Sequence, residues 1–216
     1  MVHILNKNNS IFNRFLAEIR DNQIQKDGMR FRKNLERIAE FFAYEISKTM
    51  EFTEKEVTTP LGIARVNDLK QEPVIASILR AGIPMHQGFL NVFDRADNAF
   101  ISAYRKYETA KSFTIECEYI SSPDITGRTL ILADPMLATG SSLMLAYKAL
   151  LKIGIPKHTH IVSAIASKKG VENLRDTLPG EDITIWTGAV DDKLNVKSYI
   201  VPGLGDAGDL AYGEKL

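Results

Sequence analysis

Runs of apolar, mostly β-branched residues recur through the chain near positions 74, 100, 129, 160 and 183, and most of them lead into a stretch of helical periodicity. In PVIASIL (73–79), TLILA (129–133), THIVSAIAS (159–167) and DITIWTGAV (182–190) the apolar residues are near-continuous rather than strictly alternating. That is the pattern of strands covered on both faces. Such strands, separated by helices, pack as an open parallel α/β sheet flanked by helices, and sheets of this kind bind ligands at the carboxyl ends of their strands.

Two amphipathic helices precede the sheet. Ile11, Phe12, Phe15, Leu16 and Ile19 share one helical stripe, and Leu35, Ile38, Ala39, Phe42 and Ile46 define a longer helix from about Met29. The charged face of the second helix, Arg32, Lys33, Glu36, Arg37 and Glu40, is expected to be solvated. Val57–Val66, interrupted by Pro60 and Gly62, predicts a bent edge strand or a hairpin. Ala99–Ser122 predicts a strand, a polar turn containing Glu108, Thr109 and Lys111, and a return strand with Phe113, Ile115 and Cys117 on one side. This would be a protruding β-arm suited to dimerisation. One domain over 1–216 is expected, with N-terminal helices over 10–50, a core from about 73 to 190 and a terminal segment from about 191.

Charge and composition exclude several classes. Lys plus Arg equals Asp plus Glu at 27 each, so net charge leaves no footprint for nucleic acid or an anionic membrane. A single cysteine rules out an internal disulfide and favours a reducing compartment. No run reaches the roughly 18–20 apolar residues needed to span a bilayer, and the first ten residues lack a signal pattern. A cytoplasmic protein is expected.

Chemistry concentrates in Thr129–Ser142, TLILADPMLATGSS, where a buried strand ends in Asp134 and passes through a small-residue turn. Leu143, Ala146, Leu150 and Ile153 then predict a helix that stops near Gly154. The first amides of a helix lack internal partners and point outward with the positive end of its dipole, so this strand, loop and helix form an anion cradle. A carboxylate beside a phosphate is repelled unless it faces a hydroxyl or a metal. A phosphorylated sugar satisfies both demands. Arg80 and Lys168 also end strands and would share the same mouth, although Lys168 and Lys169 read more simply as solvated lysines.

The tail contains Gly203-x-Gly205-x-x-Gly208, which is not a dinucleotide fingerprint, because the chain ends before the strand and acid that must follow. Its exposed backbone groups suit a small planar ring bearing amide groups. His158 and His160 begin one strand on one side, but no third metal ligand lies nearby in sequence.

Taken together, SILRAG, ADPMLATGSS and YIVPGLGDAGD, in this order and spacing, resemble the uracil phosphoribosyltransferases, and the resemblance runs through most of the chain. It implies a type I phosphoribosyltransferase fold with a C-terminal hood over about 191–216, which would hold uracil above phosphoribosyl pyrophosphate. It also implies Mg2+ assistance and a homodimer or higher homo-oligomer, and it raises GTP as an effector. By position, Arg80 and Arg105 match the pyrophosphate-side arginines. Asp134, Pro135, Met136, Leu137, Ala138, Thr139, Gly140, Ser141 and Ser142 match the phosphoribosyl-binding loop. Ile200, Gly205, Asp206 and Ala207 match the uracil-contacting tail, with Asp206 also reaching the phosphoribosyl substrate. Asp134, Asp206 and Arg105 are the implied catalytic groups. No protein ligand to the metal is implied, since Pro135 stands where relatives for other bases often carry a second acid. Ser141 replaces a common glycine, and Leu210 stands where a basic residue is usual.

Overall fold

The computed structural model describes residues 1–109, 112–178, 180 and 182–215; the side chains of 103–109 and 112–118 lie outside that description. In chain order the elements are β1 (Val2–Ile4), α1 (Phe12–Arg20), α2 (Gly28–Ser47), β2 (Phe52–Thr59), β3 (Gly62–Leu69), β4 (Val74–Leu79) and α3 (Ile83–Leu90). There follow β5 (Asp97–Thr109), β6 (Ser112–Ser121), β7 (Thr129–Ala133), β8 (Met136–Leu137), α4 (Ser141–Leu150), β9 (His158–Ser167) and α5 (Lys168–Thr177). The chain finishes with β10 (Ile183–Asp191), β11 (Lys193–Leu194), β12 (Ile200–Val201) and α6 (Ala207–Tyr212).

The main sheet is ordered β1-β10-β9-β7-β4-β5-β6, with β8 also paired to β9. Every pairing in it is parallel except β5 with β6. The expected parallel α/β sheet is therefore present, and its order reverses at β4, which has β5 on one side and β7 on the other. The crevice beyond the ends of β4 and β7 is the topological switch point, where such sheets take ligands.

Period-two alternation sorts the strand side chains into two cores. Ile75, Ile131, Ala133, Val162 and Trp186 face α1, α2 and α3, whose contributions include Phe12, Leu35, Phe42 and Phe89. Val74, Ala76, Leu130, Leu132 and Ile161 face α4 and α5 through Leu143, Tyr147, Leu150 and Leu174. The tail joins the first core through Ile200, Leu204, Ala207 and Ala211. Each fully buried Leu, Ile or Phe contributes about 1.5–3 kcal/mol, so the hood is held by apolar burial as well as by polar contacts.

Several expectations change. The polar N-terminus contains β1, too short to show a period, which adds to β10 through Val2–Ile185 and Ile4–Thr187 pairing. Ile11 stands at the N-cap of α1 and is 47% exposed, because it precedes the first helical turn rather than sharing its buried stripe. Ile153 lies past the end of α4 in a turn. Of the two forms expected at 57–66, a bent edge strand or a hairpin, the hairpin is present, longer than expected, as β2 with β3 apart from the main sheet. The charged face of α2 is not simply solvated, since Arg32 reaches the tail and Glu36 and Glu40 both accept from Asn91.

Candidate active site

At the end of β7 the chain does not run freely into α4. The Asp134 amide donates to Val162 O at 3.1 Å, and Ile165 N donates to Pro135 O at 3.0 Å. These bonds draw Met136 and Leu137 beside Ile165 and Ala166 as β8. Leu137 is fully buried in the core and Pro135 is also buried, so these two support the loop from beneath. Ala138, Thr139, Ser141 and Ser142 are half-buried, while Gly140 between them is buried. Gly140 turns the chain into α4 with φ of 84°, a left-handed conformation that a side chain would strain. Ser141 begins the helix, with its Oγ 3.0 Å from Thr139 Oγ1.

A second helix braces this loop from behind. Ser167 Oγ donates to Ala138 O at 2.5 Å and accepts from Gly170 N at 2.8 Å, capping α5. Asn173 Nδ2 donates to Thr139 O at 3.0 Å. Gly170 allows the approach, because a Cβ there would lie 2.4 Å from Ala138 O. The carbonyls of Ala138 and Thr139 are thus both held by α5 and its cap, and within the loop the Ser141 amide donates to Thr139 Oγ1 at 3.4 Å. Sequence reasoning missed this bracing, although a serine directly before a helical run was a readable capping signal.

Asp134 lies at the mouth, partly accessible yet enclosed by protein. Burial pushes its carboxyl up to about 7; the Met136 N–H, at 3.3 Å, opposes the rise and the charge of Asp206 adds to it. Asp206, some seventy positions later in the chain, thus lies near enough for its charge to be felt at Asp134. Asp206 caps α6 by accepting from Asp209 N at 3.1 Å. A Cβ at Gly208 would sit 3.2 Å from Asp206 Oδ1 and 3.9 Å from Arg80 Nε, so the first turn of α6 lies against the guanidinium.

Arg80 leaves β4 toward the same mouth. Its Nη2 donates to Asp209 Oδ1 and to Gly213 O, each at 2.9 Å, while its Nε is buried without a partner. An orphaned donor beside a small-residue loop suits an anionic ligand. Arg80, Asp134 and Asp206, three of the four charged residues expected at the site, are thus brought together. The side chain of Arg105, the fourth, lies outside the described residues; its backbone is in β5.

The hood itself is built from short pieces. β12 pairs with β11, and Ile200 is buried with Leu204 and Ala207 rather than open to solvent. Arg32 Nη1 donates to Ala211 O at 2.6 Å, and its guanidinium lies 5.8 Å from the Tyr212 ring. Leu210, in place of the usual basic residue, packs against the core. Lys168 forms an exposed pair with Asp192 at 2.5 Å. His158 and His160 do share one side, with ring centroids 4.5 Å apart, but both are engaged at the opposite end of the sheet. His158 pairs with Asp182 and Thr184, and His160 accepts from Trp186 Nε1 at 3.0 Å. Among the described residues no group of three or more His, Cys, Asp or Glu is placed to hold a metal.

The chain matches the family model for uracil phosphoribosyltransferase over residues 7–214. A uracil phosphoribosyltransferase of Porphyromonas gingivalis is 57% identical over 212 residues, covering 98% of each chain. One from Pyrococcus furiosus is 41% identical over 204 residues, covering 92% of this chain and 84% of that one. Among solved structures, the AQ2163 protein of Aquifex aeolicus superposes with a TM-score of 0.87 at 32% identity over 99% of this chain and 98% of its own. The orotate phosphoribosyltransferase of Mycobacterium tuberculosis bound to 5-phospho-α-D-ribosyl 1-diphosphate superposes with a TM-score of 0.53 at 10% identity, over 87% and 95%. That last likeness concerns the fold alone.

Proposed function

Because this chain belongs to the uracil phosphoribosyltransferase family, we propose that it transfers the 5-phosphoribosyl group from phosphoribosyl pyrophosphate to N1 of uracil, giving UMP and pyrophosphate, in pyrimidine salvage. The observation that carries this reading is the convergence of Arg80, Asp134 and the hood's Asp206 on the switch-point mouth. These residues come from three separate segments, and each matches a position of the family's motifs.

In the reaction the bond from ribose C1 to the pyrophosphate oxygen breaks, the bond from C1 to uracil N1 forms, and the proton leaves N1. Positive charge develops on the ribose while negative charge collects on pyrophosphate, which Arg80 and Arg105 are assigned to receive. The amides of Ala138–Ser142 at the start of α4 hold the 5-phosphate, which turns binding into alignment of C1 with N1. Asp134 receives the ribose hydroxyls; their hydrogen bonds favour its charged form and oppose the rise that burial imposes. Ile200, Gly205 and Ala207 frame uracil, and we assign the N1 proton to Asp206.

A magnesium ion would enter with the substrate, bound mainly by its oxygens and water, and Asp134 is the carboxylate of this chain that would be at hand for it. When bound it would offset charge on the leaving group. Our reading includes a homodimer contacting through the β5–β6 arm, a cytoplasmic location and GTP as an effector. The exposed apolar side chains of the β2–β3 hairpin, Phe52, Leu61 and Ile63, support an oligomer. Among the described residues no helix is long and apolar enough to cross a membrane.

The test is UMP formation from phosphoribosyl pyrophosphate and uracil, with and without GTP. Uracil-dependent release of pyrophosphate is expected, and equal turnover with cytosine or hypoxanthine would overturn the assignment.

A further inference from the structure

Ahead of the uracil-assigned positions Gly205–Ala207, the backbone is gripped at one residue from both sides. Asp191, at the carboxyl end of β10, accepts from Gly203 N at 2.9 Å, and Arg20, the last residue of α1, donates to Gly203 O at 3.2 Å. The two side chains also bind each other through a bidentate pair, Arg20 Nη1 to Asp191 Oδ2 at 2.8 Å and Nη2 to Oδ1 at 2.9 Å. Their side chains are 22% and 9% exposed. Gly203 has a φ of 58°, and a Cβ there would lie 2.1 Å from Ile200 O, so the turn is tight as well as clamped. One residue later, Gln25 donates to Leu204 O at 2.8 Å and to Ile19 O at 3.2 Å with its amide in the orientation that satisfies both.

We propose that Arg20 and Asp191 are positioning residues for uracil: touching no substrate, they fix the backbone that reads the base, and so set uracil affinity and base discrimination. The inference rests on the functional reading above. Its physical basis is that the base is recognised by main-chain donors and acceptors, whose directions are set by where Gly203 is held. A planar, bidentate Arg–carboxylate pair holds position far better than two separate polar side chains. A shift of about an ångström in such a segment weakens binding steeply, whereas the phosphate loop lies on other elements and is left in place.

The experiment uses the full chain with Arg20→Lys, Asp191→Asn and Asp191→Ala variants. KM for uracil is expected to rise about tenfold in Asp191→Ala and less in Asp191→Asn, which keeps an oxygen for Gly203 N–H. KM for phosphoribosyl pyrophosphate should stay within about twofold, and the preference for uracil over cytosine should narrow. Unchanged uracil KM, or equal rises in both KM values, would overturn the inference. Should Asp191→Ala not fold, Arg20→Lys decides by the same two readouts. A wild-type chain that is active alongside unaltered variants removes this inference alone. A wild-type chain with no uracil turnover removes the functional reading, and this inference with it.

Discussion

Asp134 is the residue whose function and stability pull in opposite directions. Its carboxyl is raised from 3.8 to about 7, first by burial, so between those values the folded protein binds a proton that the unfolded chain has released. Stability from this group therefore falls as pH rises from 4 to 7 and is level above that, with a total cost of about 4 kcal/mol at most. Asp134→Asn should remove that slope, leave the ligand-free protein more stable at pH 8, and reduce turnover by about a hundredfold or more. Denaturation midpoints against pH, beside UMP formation, check both halves. Asp209 poses a related conflict, since its carboxylate occupies Arg80 where pyrophosphate is expected. The pair is about one-third exposed, so its strength is modest. Asp209→Asn should tighten pyrophosphate binding about two- to fivefold by calorimetry, and the gain should vanish with Arg80→Gln. Unchanged affinity in Asp209→Asn would show that the two anions do not compete.

Among the elements, α5 matters more than its exposed sequence suggests. Its second face backs the phosphate loop through Ser167, Gly170 and Asn173, so the loop is a layer between two helices rather than a free turn. Asn173→Ala removes one partly buried hydrogen bond, a net loss of about 1 kcal/mol. Where that loss falls on the loop, KM for phosphoribosyl pyrophosphate should rise about three- to fivefold with uracil KM unaffected. Steady-state kinetics in both substrates would show it; a change in uracil KM instead would mean that α5 acts through the hood. The histidines that begin β9 belong to the other end of the sheet. His160 is held well below its usual range, to about 3, mainly by burial, so it stays neutral and packs with Trp186.

At the scale of the molecule, the antiparallel β5–β6 pair forms one edge of the main sheet, while the β2–β3 hairpin stands apart from it with Leu61 at its tip fully exposed. Sedimentation should give twice the chain mass of 24.1 kDa, and a single-chain mass at working concentration would remove the dimer reading. The parallel sheet, both N-terminal helices and the Asp134 loop were legible because each is written in local patterns: continuous apolar strands, a 3.6-residue stripe, a glycine before a helix. The motifs likewise singled out Arg80 and Asp206, which the fold brings close together. Periodicity could not reveal β1, whose strand character comes from its neighbour, or β8, which forms because β9 offers a second stretch of open edge. Nor could it assign partners: Arg80 meets Asp209 across 129 positions, and Arg20 meets Asp191 across 171. Burial and turning are encoded where they occur, by side-chain size and polarity acting over a few residues. The partner of a charge is chosen only when the strand order closes the chain and brings the C-terminal hood over the ends of β4 and β7, and that choice belongs to the tertiary structure alone.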